Sequence, residues 1–385
     1  MGMRLEFITS MQELEPLRHQ WNAVYDADDE AQFFLSWPWM SRRLQDLGTS
    51  WLVLAAWSES DPASCVAFFP LSICRVEKGG VSRHELRTAG SPIADYTGFI
   101  CRPGHERQAL AGFAEALQGL ARRLHWDDLS LVNIRASEER LRFFLARFPA
   151  ARFDLVRRSC VNKDGTDNSV CPYVALPGDW ETYLAEAVSS NTRQKLRRFL
   201  RQVEASPELA FAQATPDTVE GDIAALLRLW ETRWGDRKPG RMEVIRRQTS
   251  SLLMRCFEDG TLFLPTLSRN GAVVGALAIL VDHRKRSYLF LMGGRDQSVA
   301  TPPPGLCLHA FSIRHAIERG FRTYDFLRGD EAYKFSFGAG SRSVSSILVR
   351  TRAKGRPHAR APAARIPVGH GPAAGQPGAA HRALA

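Results

Sequence analysis

Asp325, Asp330, Glu331, Tyr333 and Lys334 bring carboxylate, phenol and amine groups together in the stretch Arg319–Gly338. A carboxylate can take a proton, a phenol can give one, and an ammonium can hold either in place. The stretch opens where a helix must end, because Gly320 follows the apolar-periodic run Leu308, Phe311, Ile313, Ala316 and Ile317. A glycine just past such a run reads as a C′ residue, which alone adopts the left-handed conformation without a Cβ penalty. The pattern then predicts a short strand over 323–327 carrying Asp325, and a break at Gly329 that releases Asp330, Glu331, Tyr333 and Lys334 into a turn. Turns carry function when a rigid scaffold holds them. The residue types leave two readings open: an acid–base site, or a plain loop in which Asp325 only orients Lys334.

The elements that would position this stretch alternate between strands and helices. In the second half, helices are expected over 180–188, 191–204, 218–234 and 241–258, with a strand over 209–213. Strands over 261–268 and 272–282 are joined by Arg269-Asn270-Gly271, where Asn-Gly supplies the positive φ angles of a tight hairpin turn. A strand over 286–292 runs into Gly293-Gly294, and the Pro302-Pro303-Pro304-Gly305 run starts a helix over 306–319. A last strand is expected over 344–350. The first half has a similar order. It has a strand over 5–7, helices over 13–25 and 38–47, and strands over 51–57 and 65–76, with Pro70 marking a bulge or an edge. A helix over 107–124, a strand over 128–134, a helix over 138–148 and a strand over 153–161 follow. This element order suggests an internal duplication, with a polar turn at 163–169 as the boundary. Two aromatic or polar groups in the first half, Phe33-Phe34-Leu35-Ser36-Trp37-Pro38-Trp39 and Asp95-Tyr96, read as core and turn more readily than as ligand sites.

With 385 residues and 44% hydrophobic content, two domains with real cores are expected. Seven scattered cysteines without a Cys-x-x-Cys pair argue against a disulfide framework and against a zinc site. Cys307 at a helix start is a candidate for a lowered thiol pKa. The longest apolar run, 272–281, is half of what spans a bilayer, and the N-terminus lacks an apolar signal region, so a cytoplasmic protein is expected. The net charge of +10 suggests nucleic acid until it is located: from Arg352 onward five Arg and one Lys stand without an acid. That Ala-, Gly- and Pro-rich tail, 351–385, is expected to be disordered. A second basic feature is the helix with Arg193, Lys195, Arg197, Arg198 and Arg201. Arg193, Arg197 and Arg201 share a face, so it reads either as a phosphate-binding stripe or as a solvated surface.

The segment "TPPPGLCLHAFSIRHAIERG" followed by "YDFLRGDEAYKFSFG" resembles the C-terminal signature of GNAT-type acyltransferases of the CelD/BcsL group, associated with cellulose biosynthesis. "CPYVALPGDWETYLAEAVSSNTRQKLRRFLRQVE" is similar to the segment that opens the family's C-terminal domain. The resemblance implies tandem GNAT-like domains of mixed α/β class: a degenerate one over 1–165, an acyltransferase domain over 166–350, and the tail. It also implies acetyl-CoA or another acyl-CoA as co-substrate, with no metal. In that fold a helix N-terminus faces the pyrophosphate, since free N–H groups and the helix dipole favour an anion. The corresponding residues here are Gly293, Gly294, Arg295, Pro304, Gly305 and Leu306, in place of the usual Arg/Gln-x-x-Gly-x-Gly/Ala loop. Catalytic roles fall to Asp325 or Glu331 as base and Tyr333 as acid, with Lys334 beside them, and acceptor binding to Arg193, Arg197 and Asp330. The implied reaction is N- or O-acylation of a sugar, polysaccharide precursor or other small amine or hydroxyl acceptor. Two alternatives stay open: a FemAB-like transferase using aminoacyl-tRNA, which the basic helix would suit, and a non-catalytic binding module of a polysaccharide-synthesis system.

Overall fold

The computed structural model describes residues 3–78, 81–124, 126–235 and 240–352. In chain order these form β1 (Arg4–Ile8), α1 (Met11–Leu14), α2 (Arg18–Ala27), α3 (Trp37–Asp46), β2 (Trp51–Trp57), β3 (Cys65–Lys78), β4 (Val81–Thr88), β5 (Ile100–Cys101), α4 (Glu106–Leu124), β6 (Asp128–Ile134), α5 (Glu138–Leu145) and β7 (Phe153–Arg157). Next come β8 (Val170–Ala175), α6 (Trp180–Glu186), α7 (Ser190–Ala205), β9 (Leu209–Gln213), α8 (Val219–Trp234), α9 (Met242–Glu258), β10 (Leu262–Phe263), β11 (Pro265–Arg269), β12 (Ala272–Asp282), β13 (Ser287–Arg295), α10 (Pro304–Glu318), β14 (Thr323–Asp325), α11 (Ala332–Phe335), β15 (Gly340–Ser343) and β16 (Ser345–Thr351). Two compact units result, one from residues up to Ser159 together with β16, the other from Cys160 to Val344.

Each unit is built on one mixed sheet, and the two sheets share a topology. The first runs β1-β2-β3-β4-β6-β16-β7, the second β9-β11-β12-β13-β14-β8-β15 in the same sense. Each contains one parallel pair, β4 with β6 and β13 with β14, and its other neighbours are antiparallel. The duplication suggested by element order is therefore present in the strand order. One expectation changes. The strand closing the second half, β16, pairs with β6 and β7 in the first sheet, so the segment 166–350 is not one structural unit. In the second sheet the corresponding place, between β14 and β15, is taken by β8, which precedes every other strand of that unit. β4, β8 and β15 had no counterpart in the expected strands. The tail expected to be disordered lies outside the described residues from Ala353 onward.

Local sequence accounts for the element ends. Asn270 and Gly271 take φ of 50° and 80°, and Arg269 pairs with Ala272 across the turn. Gly320 takes φ of 73°, and the Phe321 amide donates to the Ala316 carbonyl, which satisfies an otherwise orphaned helix end. Pro70 marks neither an edge nor a bulge. It lies in central strand β3 where the second partner changes from β5, at Ala67 and Phe68, to β4, from Leu71 onward, so its missing N–H falls in a gap of the ladder. The aromatics at 33–39 are buried, with Trp37 edge-on to Trp21, which stacks on Phe68. Tyr96 is buried against Phe34 beneath Arg135, and Asp95 is buried too. Apolar faces of α7 and α10 cover the second sheet through Leu196, Phe199, Val203, Leu308 and Ile313. Among the described residues no helix is long and apolar enough to cross a membrane.

Candidate active site

In the second unit the parallel strands β13 and β14 pair only from Ser287 to Leu289 against Thr323 to Asp325. Beyond that point β13 continues along β12 to Arg295, whereas the chain after Asp325 turns away. A bulge at Leu291, where the register steps from Ala278↔Met292 to Ile279↔Phe290, adds local twist at the point of divergence. The two strands thus part between Phe290 and Phe326. Just past that point the rings of Phe290, Phe326, His309 from α10 and Tyr333 from α11 form one cluster, with neighbouring centroids 4.6 to 6.4 Å apart.

The signature stretch is folded largely on itself. Buried Asp325 accepts a 2.8 Å hydrogen bond from the amide of Leu327, whose φ is 56°. Lys334 is 3% exposed and donates to the carbonyls of Arg328 and Gly329 at 2.8 and 3.1 Å. Its Nζ lies 2.9 Å from Glu331 Oε2, in a charge contact that is not an aligned hydrogen bond. Gly329, with φ of 105°, lets that carboxylate fold over the backbone, because a Cβ here would meet Glu331 Oε2 at 2.5 Å. Asp330 accepts from the Asp167 amide at 2.9 Å and so ties the turn to the segment before β8. Asp325, Asp330 and Lys334 thus spend their polar atoms on holding the turn.

Tyr333 is what the turn presents. It leaves 44% of its surface in solvent, while its hydroxyl end is crowded by protein. That crowding, with the Glu331 carboxylate second, raises its pKa above the ordinary phenol value, so it stays protonated at neutral pH. Beside it His309 is 4% exposed, with Nδ1 2.9 Å from the Tyr324 hydroxyl. Burial first, and the Lys334 charge second, lower the His309 pKa to about 3. A neutral imidazole cannot serve as a cationic phosphate partner.

The start of α10 is receptive to an anion. Pro303 offers no side-chain cap, Pro304 occupies the first turn, and that turn carries no acid. Gly305 and Leu306 therefore present amides that no intrahelical carbonyl can reach. Arg295 adds a cation, with its Cδ 3.6 Å from where a Gly305 Cβ would stand. Gly293 and Gly294 have a packing role instead. A Cβ on Gly293 would meet Leu277 at 2.7 Å, and one on Gly294 would meet the Leu226 carbonyl of α8 at 2.6 Å. Cys307 is buried and its thiol is pushed up to about 12, so the expected lowering by the helix start does not occur.

The basic helix α7 is partly committed. Arg193 donates to the carbonyls of Leu184 and Ala185 at 3.3 and 3.4 Å, Arg197 pairs with Glu181, and Arg201 donates to the Arg197 carbonyl at 3.2 Å. The corresponding place in the first unit is closed. Thr97 exchanges backbone hydrogen bonds with Asn133 and Arg135 alongside β6, and α4 begins with Glu106, which Arg140 engages at 3.3 Å. Among the described residues no cluster of His, Cys, Asp and Glu has the makings of a metal site.

Two sheets of this order, each with one parallel pair bridged by a helix, define a tandem GNAT fold of mixed α/β class. Residues 190–335 match the family described as an acetyltransferase (GNAT) domain. The chain is similar in structure to FemX, at 10% identity over 89% of this chain and 96% of that one, with a TM-score of 0.61. It is also similar to a tandem GNAT protein from the clavulanic acid biosynthesis pathway, at 13% identity over 90% and 98% of the two chains, TM-score 0.50. A protein of unknown function from Bacteroides thetaiotaomicron VPI-5482 gives 12% identity over 91% and 100%, TM-score 0.53. No curated protein sequence matches the chain.

Proposed function

We propose that the second unit is an acyl-CoA-dependent acyltransferase that acylates an amine or hydroxyl of a small acceptor, such as a sugar or polysaccharide precursor. The observation that carries this reading is the conjunction of an uncapped, acid-free helix start beside Arg295 with a protonated Tyr333 at the mouth of the β13–β14 divergence. Bound acyl-CoA would supply a thioester with a thiolate leaving group. Gly305, Leu306 and Arg295 would hold its phosphates. Phe290 and Phe326 would wall the acyl end from water. Glu331, whose side chain is 41% exposed, would accept the acceptor's proton, directly or through water, as its lone pair forms the new bond to the acyl carbon. Tyr333 would give its proton to the sulfur as the carbon–sulfur bond breaks, and would recover one from Glu331 or solvent. Asp325 and Lys334 would position the turn. Transfer of an aminoacyl group from tRNA is less favoured, since Arg193 and Arg197 are already engaged within the fold.

The test is calorimetric titration of the full chain with acetyl-CoA, for the wild type and Gly305→Asp. The structure has room for the new side chain, and an acid in the first helical turn favours the helix, so the variant is expected to stay folded. Saturable binding by the wild type and its loss in a folded Gly305→Asp are the expected results. Undiminished affinity in the variant would remove the phosphate assignment, and no binding by the wild type would remove the donor.

A further inference from the structure

Strand β7 forms one edge of the first sheet and pairs on one side only, with β16. The pairing runs from Phe153 against Thr351 to Arg157 against Ile347 without a register shift. The flanking hydrogen bonds fix which way each backbone group points. The Arg158 amide donates to the Ser346 carbonyl at 2.8 Å, and the Arg152 carbonyl accepts from the Arg352 amide at 2.8 Å. Direction alternates along an antiparallel strand, so Asp154 and Val156 also turn toward β16, whereas Phe153, Leu155 and Arg157 turn outward. The Phe153 amide is spent on the Pro149 carbonyl at 3.0 Å. The N–H and C=O groups of Leu155 and Arg157 have no backbone partner among the described residues.

Edge strands are commonly blunted by a proline, a bulge or a covering element. β7 has neither proline nor bulge, and Leu155 and Val156, on opposite faces of the strand, are 46% and 44% exposed. Its sequence also matches itself. Two copies related by a two-fold axis can pair antiparallel only where outward residues meet outward residues, which allows centres at Leu155, Val156 or Arg157. Centring on Arg157 sets two guanidinium groups opposite each other, which is unfavourable. Centring on Leu155 calls on the Phe153 amide, which is already used. Centring on Val156 meets neither objection. Leu155 then lies opposite Arg157 of the second copy, and each such pair exchanges two N–H···O=C bonds. Val156 meets its own copy on the axis. Asp154 comes opposite Arg158 of the second copy, a pair of opposite charge. Arg352 engages Asp154 through Oδ1, at 2.8 and 2.6 Å, and a carboxylate accepts at both oxygens.

We propose that β7 is the contact strand of a two-fold homodimer, in which a second copy of this chain extends the first sheet with Val156 on the axis. The occupant is a second copy because the free backbone groups, the exposed apolar pair and the charges of β7 are complementary to themselves. The contact is short, so it gives a reversible dimer with a micromolar dissociation constant. It lies in the first unit and stands independently of the acyl-transfer reading.

The experiment is sedimentation velocity of the full chain over a concentration series up to about 100 μM, where a micromolar dimer is well populated. The wild type is expected to shift from one to two chain masses. Val156→Glu places two carboxylates on the axis and should weaken the dimer at least about tenfold, with an unchanged thermal melt because the side chain is exposed. Leu155→Pro removes only an outward N–H and should do the same. Val156→Cys tests the register. Residues opposite each other in the wide pairs of an antiparallel ladder have Cα atoms about 4.5 Å apart, within disulfide range. Diamide should therefore link Val156→Cys into a covalent dimer that neither the wild type nor Leu155→Cys gives. A monomeric wild type, an undiminished Val156→Glu dimer, or equal cross-linking of Leu155→Cys overturns the proposal. So does a dimer that forms only when residues 353–385 are removed, which would make that segment the occupant of the edge.

Discussion

His309 shows how one side chain couples the site to stability. Its folded pKa of about 3 lies below the ordinary value of 6.5 because burial and Lys334 both oppose a charge on the ring. As pH falls below about 6.5 the unfolded chain takes up a proton that the folded chain refuses, so stability falls, at up to about 1.4 kcal/mol per pH unit. The loss levels off only near the folded value, where both states are protonated. His315, lowered to about 4 by burial and then by Arg319, acts in the same direction. Urea unfolding of the full chain should therefore show stability dropping from about pH 7 to 5, with a shallower slope in His309→Gln. An unchanged slope in that variant would mean that His309 titrates normally. Part of the residue-scale arrangement was legible in the sequence: Tyr333 is exposed on the segment that follows the break at Gly329. The burial of Asp325 and Lys334 was not legible, because their engagement depends on backbone carbonyls that only the folded turn brings inward.

At the scale of elements, the proposed donor site depends on how closely α10 lies on the sheet. A Cβ on Gly275 of β12 would meet Pro304 at 2.8 Å and the end of Leu308 at 2.9 Å. The Leu308 tip can swing aside, whereas Pro304 is a rigid ring in the first turn and must move with the helix start. Gly275→Ala should accordingly destabilise the protein by roughly 1–3 kcal/mol, the usual cost of overpacking. It should also weaken acetyl-CoA binding, because the amides of Gly305 and Leu306 move with Pro304. Thermal denaturation and calorimetry check the two parts separately; a stability loss with intact affinity would show that the helix start does not hold the donor. Most elements were readable from periodicity and punctuation, as Gly320 and Asn270-Gly271 illustrate. Pro70 was misread because a proline reports only a missing donor, and a central strand changing partners can leave such a gap as readily as an edge.

At the scale of the molecule, the sequence foretold two similar halves but assigned the last strand to the wrong one. A strand's own residues specify its pleat and its buried face, not its partner. β16 is a short run with a continuous buried centre, which could join either sheet, and only the sheet reveals that it fills the gap between β6 and β7 while β8 fills the matching gap in the other unit. The exchange has a consequence for dissection. Residues 160–344 contain every strand of the second sheet, whereas residues 1–159 lack the strand that joins β6 to β7 through Leu131, Leu129, Leu155 and Phe153. Without β16 the buried Ile347 and Val349 are lost from the core, and β6 and β7 are left with unpaired backbone groups, each costly when buried. The fragment 160–344 is expected to unfold cooperatively by itself, and 1–159 to show no cooperative transition. Adding a peptide spanning Ser345 to Arg352 should restore one to 1–159, because Arg350 and Arg352 also pair with Asp128 and Asp154. Circular dichroism melts of both fragments, with and without the peptide, decide the matter; a stable 1–159 alone would show that the exchanged strand is dispensable to the first sheet.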